Sequence, residues 1–466
     1  MIIQGGMGVG ISSWQLARAV AQAGQLGVVS GTALDAVIAR RLQDGDPGGH
    51  ILRAMREFPL PELAERVLAR YHRREGRADR PYLPMPRLAL RRGRGGDELS
   101  VVANFVEVWL AKEGHTGQVG INFLEKIQLA TPAAAYGAML AGVDVVLMGA
   151  GIPREIPHLL DDLAEHRAGT VQVQVSGGPA QQARIDPAVL GTAGLPRLLR
   201  PAFLAIVSSH VLAQYLNREQ AIRPDGFVVE GPQAGGHNAP PRGRLTLDES
   251  GQPIYGPRDA ADLTTLAAIG LPFWVAGGSG EPEQVRAALA AGASGVQVGT
   301  LFALARESGL QPQLRTKLLA ELKAETLQVR TEPAASPTGF PFKVAQIPGT
   351  LADADCYAER PRLCDLGYLR TPYERPSGGV GYRCPAEPVD VYLRKGGAEA
   401  DTRGSKCLCN ALMADIGLGQ HRKDGYHEPA LVTLGTDLVG AQRLLAATGD
   451  DQGWSAAEAI TWLVNG

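Results

Sequence analysis

Residues 227–238 read FVVEGPQAGGHN, an apolar β-rich run that stops at a Gly-Pro turn and delivers two glycines and a histidine. That order places the imidazole of His237 where the backbone comes close to a ligand. Gly235 and Gly236 have no β-carbon to obstruct the approach, and an imidazole there exchanges a proton near neutral pH. The plain alternative is a solvated histidine in a glycine loop. His115 and His210 stand in no comparable setting and are expected to be hydrogen-bonded surface or loop residues. Glu230 ends the same apolar run, where a structural and a chemical role are equally open. All five cysteines, Cys356, Cys364, Cys384, Cys407 and Cys409, lie in the last quarter of the chain. No thiol nucleophile can therefore come from residues 1–355.

The elements that must hold His237 can be read from the alternation around it. Short β-rich segments, at 1–4, 26–30, 118–123, 143–148, 203–208, 227–231, 273–278 and 295–299, alternate with Ala/Leu-rich helical stretches. Near-continuous apolar strands of this kind belong to a parallel sheet covered on both faces. Eight such units before about residue 310 predict an α/β fold of the (β/α)8 TIM-barrel type. Ser12 or Ser13 is placed to cap the helix in SSWQLARAVAQAG, which ends at Gly24, Pro132 stands early in TPAAAYGAMLAG, and a helix in PEQVRAALAAG precedes the last strand. Phe273 and Trp274 read as core.

In such a barrel the chemistry sits just beyond the strand C-termini. Those positions hold Gly5-Gly6-Met7, Asn122, Gly149-Ala150-Gly151, Gly235-Gly236-His237, Gly277-Gly278 and Gly299-Thr300. The turns after the seventh and eighth strands form the usual phosphate grip of the fold, made of backbone N–H groups and a helix start. A glycine-lined face with a phosphate site suits a flat phosphorylated cofactor, and FMN fits best. The rival reading is a dinucleotide fold on GMGVG (6–10). It lacks the GxGxxG spacing, and its second strand ends in Ser30 rather than in an acidic residue for a ribose.

A chain of 466 residues exceeds a barrel of about 250, so additions are expected. A helical insertion at 45–117 follows the second strand and is a candidate lid or dimer arm. A hairpin about a Gly-Gly-Pro turn is expected at 170–186, outside the eight strands. The barrel proper covers residues 1–345, and 346–466 form a cysteine-containing C-terminal extension with helices. The hydrophobic fraction of 45% suits a packed globular enzyme, and a net charge of −2 provides no basic field for nucleic acid. No apolar run is long enough for a membrane span, and the N-terminus has no signal-peptide pattern. A cytoplasmic protein is expected. The cysteines could ligate Zn²⁺ or an iron–sulfur cluster by type, but they lack paired CxxC spacing, so buried or loop thiols are favoured and no metal site is assigned.

The ordered set QGGMGVG, GINF, QAGGHN, VAGGSG and VQVGTLF, with SPTGFPFK at 336–343, resembles the nitronate monooxygenase family, once called 2-nitropropane dioxygenases. The same motifs mark FMN-dependent enoyl-acyl-carrier-protein reductases and the reductase partners of polyunsaturated fatty-acid synthases. The resemblance covers about residues 1–345. It implies a flavoprotein oxidoreductase whose FMN contacts are Gly5, Gly6, Met7, Asn122, Gly277, Gly278, Gln297, Gly299 and Thr300, with Gly235 and Gly236 beside them. His237 matches the histidine that serves the substrate. Gln233 departs from the acidic residue common before AGGH. In the monooxygenase branch the substrate is an alkyl nitronate oxidised with O2. In the reductase branch NAD(P)H is the co-substrate and an enoyl thioester is reduced. A third alternative is a flavin-binding subunit of a synthase complex. A homodimer and an acyl-carrier protein are the partners left open.

Overall fold

The computed structural model describes residues 1–466. Eight strands form one parallel sheet: β1 (Ile2–Gln4), β2 (Gly27–Ser30), β3 (Val119–Leu124), β4 (Val145–Gly149), β5 (Ala202–Val207), β6 (Gly226–Glu230), β7 (Phe273–Ala276) and β8 (Gly295–Val298). Each from β2 to β8 pairs with its neighbour in the chain, and β8 pairs back onto β1 with Ile2 opposite Val296. The seam between β1 and β2 is closed by a parallel bridge at Ile3 and Leu26, where Gln4 N donates to Leu26 O at 3.0 Å and Leu26 N to Ile2 O at 3.1 Å. The sheet is thus a TIM barrel.

The strands read as unbroken apolar runs because both of their faces are buried. Ile3, Leu26, Val28, Leu147, Leu204, Val228 and Trp274 fill the barrel interior. Their chain neighbours Val29, Phe203, Ala205, Phe227, Val229 and Phe273 face outward into the larger core under the helices. This is the period-two alternation of a pleated strand. Trp274 and Phe273 are both core, on opposite faces.

Helix Trp14–Gln22 starts at Ser13, whose hydroxyl accepts from Leu16 N. It runs so close to β2 that a β-carbon on Gly27 would stand 1.9 Å from the carbonyl oxygen of Ala17. Ser12, the other candidate cap, instead ties the first turn: its hydroxyl donates to Gly5 O at 2.8 Å and accepts from Met7 N at 2.9 Å.

Segment 45–117 contains helices His50–Arg56, Pro61–Tyr71 and Arg94–Lys112. The last is buried nearly all round, through Leu99, Val102, Phe105, Val106 and Val108. It meets helix Thr131–Leu140 so closely that a β-carbon on Gly137 would lie 2.1 Å from Val101 O. Arg94–Lys112 therefore packs as a barrel helix, and any lid or arm drawn from this segment has to exclude it. Strands Gly169–Val173 and Gln181–Ile185 form an antiparallel hairpin outside the barrel sheet.

Residues 346–466 have no separate large core; Ile347, Leu408, Met413, Leu431, Trp454 and Ile460 belong to the same apolar cluster as the barrel helices. Trp454 is fully buried and donates its indole N–H to Leu301 O at 2.7 Å, just after β8. Helix Ala456–Asn465 packs on helices Trp14–Gln22 and Pro282–Ala290. The five cysteines are unpaired thiols. Cys384 and Cys407 share a small apolar cluster with Ala386, and burial pushes both thiols up, away from the thiolate form. No group of three or more His, Cys, Asp or Glu stands in metal-binding geometry, and no helix is long and apolar enough to cross a membrane.

Candidate functional site

Two adjoining cavities, of about 880 and about 900 Å3, open at the C-terminal ends of the strands. The larger is lined by Gly5, Gly6 and Met7 after β1, Gly277, Gly278 and Ser279 after β7, and Gln297, Gly299 and Thr300 around the end of β8. Its wall is mostly main chain. The other is apolar and is walled by Phe123, Ile127, Ile206, Phe342, Leu408 and Leu412, with Asn122 and His237 among them. Gly6, Gly8, Glu230, Gly235, Gly236 and Thr433 border both. Every site residue expected from the sequence thus faces one of two connected spaces. His115 and His210 do not: His115 bonds to Ala111 O and Gly117 N, and His210 accepts from Asp262 N.

His237 is fixed from two sides. Its main chain bridges Phe342 in the strand Phe342–Ala345, with Lys343 N donating to Gly236 O at 2.9 Å and Asn238 N to Pro341 O at 2.9 Å. Its ring stands edge-on to Phe342, with centroids 4.8 Å apart. Nε2 lies 2.7 Å from the Ser336 hydroxyl, which in turn is 2.8 Å from that of Thr338. The SPTGFPFK segment therefore orients the imidazole. Burial, assisted by the charge of Lys126, lowers the His237 pKa to about 4, so the ring is neutral at pH 7 and able to accept a proton or a hydrogen bond.

Glu230, the last residue of β6, opens onto both cavities and onto a third, smaller one. Burial raises its pKa to about 7, against the opposing pull of Lys343. Lys343 is itself buried, bonds to the Thr331 hydroxyl and is lowered to about 8 by the same desolvation. The sequence left Glu230 undecided, although its position at a strand end was a usable signal.

Whether FMN suits the larger cavity can be tested on the groups that line it. Gln297 Oε1 in this cavity and Asn122 Oδ1 on the wall of the adjoining one are buried and have no hydrogen-bond partner in the protein, leaving two acceptors for the N–H donors of a flat ring. A β-carbon on Gly6 would lie 2.2 Å from the β-carbon of Asn122, so this position on the border of the two cavities admits only glycine. Gly277 and Gly278 have φ of 84° and 68°, the left-handed backbone that turns main-chain atoms toward the space. No lysine or arginine lines this cavity. A phosphate there would rest on main-chain N–H groups. The one nearby carboxylate besides Glu230, Asp437, is engaged by Gln284 Nε2 at 3.1 Å and by Val439 N at 3.2 Å. These residues fit the flavin ring, with the phosphate held by dipoles alone.

The C-terminal region completes both spaces, which the strand-end argument missed. Tyr368, Leu369, Leu408, Cys409 and Leu412 wall the apolar cavity, and Leu434, Gly435, Asp437 and Ala441 the other. Thr433 Oγ1 accepts from Gly236 N at 2.8 Å, and Gly435 N donates to Thr300 Oγ1 at 3.0 Å. Nothing in the periodicity of 346–466 signals a return to the barrel mouth.

Residues 200–334, which carry the QAGGHN, VAGGSG and VQVGTLF motifs, match the family model described as nitronate monooxygenase. The chain is 32% identical to a nitronate monooxygenase of Pseudomonas aeruginosa over 191 residues, 41% of this chain and 49% of that protein. It is 36% identical to a probable nitronate monooxygenase of Bacillus subtilis over 106 residues, 22% of this chain and 28% of that protein. It is 29% identical over 122 residues to a 5-hydroxy-7a-methyl-1-oxo-octahydro-1H-indene-4-carboxyl-CoA dehydrogenase of Rhodococcus jostii, covering 26% of this chain and 30% of that one. The matches thus span about half or less of the curated relatives' length. Among solved structures, FabK from Thermotoga maritima aligns over 99% of this chain and 91% of its own at 15% identity and a TM-score of 0.49. Nitroalkane oxidase from Streptomyces ansochromogenes aligns over 99% and 94% at 17% identity and a TM-score of 0.41. The chain is thus similar to the nitronate monooxygenase family through residues 200–334 and through partial matches to its curated members.

Proposed function

We propose that this chain is a cytoplasmic, FMN-dependent oxidoreductase that oxidises alkyl nitronates with O2. The observation that carries the reading is the junction of the two cavities: a main-chain-lined space with the unpartnered amide oxygen of Gln297 opens directly onto an apolar one that contains that of Asn122 and a neutral, hydrogen-bonded histidine. Bound FMN would supply the electron transfer, held by Gly5, Gly6, Met7, Asn122, Gly277, Gly278, Gln297, Gly299 and Thr300. The apolar walls would exclude water and receive the alkyl part of the substrate. Gly235 and Gly236 would let the substrate approach, and His237, held by Ser336, would orient the polar end of the nitronate, or take the α-proton of the parent nitroalkane at the ring nitrogen to form it.

A second reading, an NAD(P)H-dependent enoyl-thioester reductase, is favoured by one feature. The apolar cavity extends along Leu369, Leu408 and Leu412, which is more wall than a short nitronate needs. An acyl-carrier protein would then be a partner. The test is an absorption spectrum of the purified protein, repeated anaerobically with NADH or NADPH and, separately, with a nitronate. Bleaching by the nitronate alone supports the monooxygenase, bleaching by the nicotinamide moves the assignment to the reductase, and a spectrum without flavin bands overturns both.

A further inference from the structure

We propose that Glu230 is a second proton-exchanging catalytic residue of this site, serving the point where the two cavities meet, with Lys343 as the positioning cation behind it. Three observations carry this. Glu230 is the last residue of β6, so its side chain projects from the rigid rim of the barrel rather than from a mobile loop. It borders both large cavities and the small one beside them, a position that none of the other acidic residues shares. Glu230 is half-buried, and its carboxyl makes no hydrogen bond or close ion pair within the protein, whereas fully buried carboxylates are engaged: Asp35 by Arg92, Glu98 by Arg66, Glu107 by Trp14 N, and Glu428 by Arg360. A desolvated acid left without a partner on a cavity wall is a group waiting for one.

The surrounding charges are arranged for reversible exchange. Lys343, on the strand Phe342–Ala345, supplies the electrostatic pull that limits how far burial raises the acid's proton affinity. On the loop after β6, His237 is neutral and adds no charge. Lys126 rests over the Phe340 ring and beside Glu125. Toward the small cavity, Arg242 donates to Ser208 O and Asp259 accepts from Arg242 N, so both are committed elsewhere. Lys343 is thus the one opposing charge identified for Glu230. When Glu230 gives its proton to a basic atom in the cavity, the carboxylate left behind is balanced by the Lys343 ammonium. When it takes one back, the pair returns to a neutral acid beside a cation. No oxidant or reductant enters the step.

The assignment rests on the oxidoreductase reading for the reaction it serves, but the titration of the carboxyl does not. The test is therefore double. In infrared difference spectra of the full chain, a protonated-carboxyl band that titrates near neutrality should be present in the wild type and absent in Glu230→Gln, and Lys343→Met should move its midpoint to higher pH. With whichever of nitronate or enoyl thioester turns over, Glu230→Gln should lower kcat at least tenfold with little change in KM and remove the near-neutral limb of the pH profile. Should Glu230→Gln not fold, Glu230→Asp retains the carboxyl and must show the band at a shifted midpoint. A Glu230 that titrates in the ordinary carboxylate range, or a pH limb that survives its removal, overturns the proposal. A titrating band in a protein that turns over neither substrate sinks the proposed function and leaves the acid in place.

Discussion

The two cavities share a border but are built from opposite materials. On the side of β1, β7 and β8 the wall is glycine and main chain, and it would hold a ligand through amide dipoles and the unpartnered side-chain amide oxygen of Gln297. On the side of β3, β4 and β5 the wall is bulky apolar side chain, with five of its thirteen hydrophobic residues from the C-terminal region. The first surface is fixed by backbone path, so adding an atom there is worse than altering one. The second is fixed by side-chain volume, so similar-sized replacements are tolerated and its selectivity is open to change. On the proposed function, one fold would thereby combine a fixed cofactor grip with an adjustable substrate wall, and His237 would be the polar group that the adjustable side cannot replace.

The largest break in this comparison is His237→Ala. If the imidazole orients or deprotonates substrate, kcat/KM falls by about 10²–10⁴-fold while the flavin content of the purified protein is unchanged. Loss of flavin in the same variant would place His237 in the cofactor grip instead.

The next contrast sets an added methyl group on one wall against a volume-conserving exchange on the other. Gly6→Ala forces a β-carbon onto Asn122 and is expected to cost about 1–3 kcal/mol of overpacking, read as loss of bound flavin on gel filtration. Leu412→Met conserves volume on the opposite wall and should retain the flavin at a cost below about 1.5 kcal/mol, with any change confined to KM across a series of substrate chain lengths. Equal flavin loss in both would erase the distinction between the two walls.

How much of this was readable beforehand follows the same division. The barrel and its glycine turns were legible because strands buried on both faces give unbroken apolar runs, and because turns that carry main chain toward a ligand need glycine, as at Gly277 and Gly278. His237 was legible from the residues that deliver it. The apolar wall was not, because Leu408, Leu412 and Tyr368 are ordinary apolar residues whose local pattern reports burial but not the partner they face. Helix Arg94–Lys112 was read as part of an insertion because its sequence neighbours at 72–93 are loop, whereas its packing on Gly137 is a tertiary fact. Glu230 stood in plain sight at a strand end, and only the absence of a partner gives it weight.

The two titrating groups at the border pull stability in opposite directions. His237 is lowered from 6.5 to about 4 on folding, so its contribution is present above 6.5 and lost as pH falls toward 4. Glu230 is raised from 4.5 to about 7, so its contribution is full below 4.5 and lost as pH rises toward 7. In the shared window each offsets the other. Melting curves of Glu230→Gln, taken relative to wild type, should therefore steepen the loss of stability on acidification, by up to about 1.4 kcal/mol per pH unit. His237→Gln should steepen the loss on alkalinisation by a similar amount. Parallel curves for both variants would mean that neither group titrates in this window.

The smallest effect sharpens the cofactor side alone. Asp437 faces the main-chain cavity, where no lysine or arginine offsets it, and its carboxylate already caps Val439 N and accepts from Gln284. Asp437→Asn keeps a side-chain oxygen for the cap and removes a negative charge from the neighbourhood of any phosphate. At a partly solvated site such a charge is worth about 1 kcal/mol, so FMN affinity should rise severalfold in fluorescence titrations. Riboflavin, which has the same ring and no phosphate, should bind the variant and the wild type equally. A gain shared by both ligands would trace to the wall's shape, and a loss for FMN would mean that the phosphate lies elsewhere and that the glycine turns after β7 and β8 grip something other than an anion.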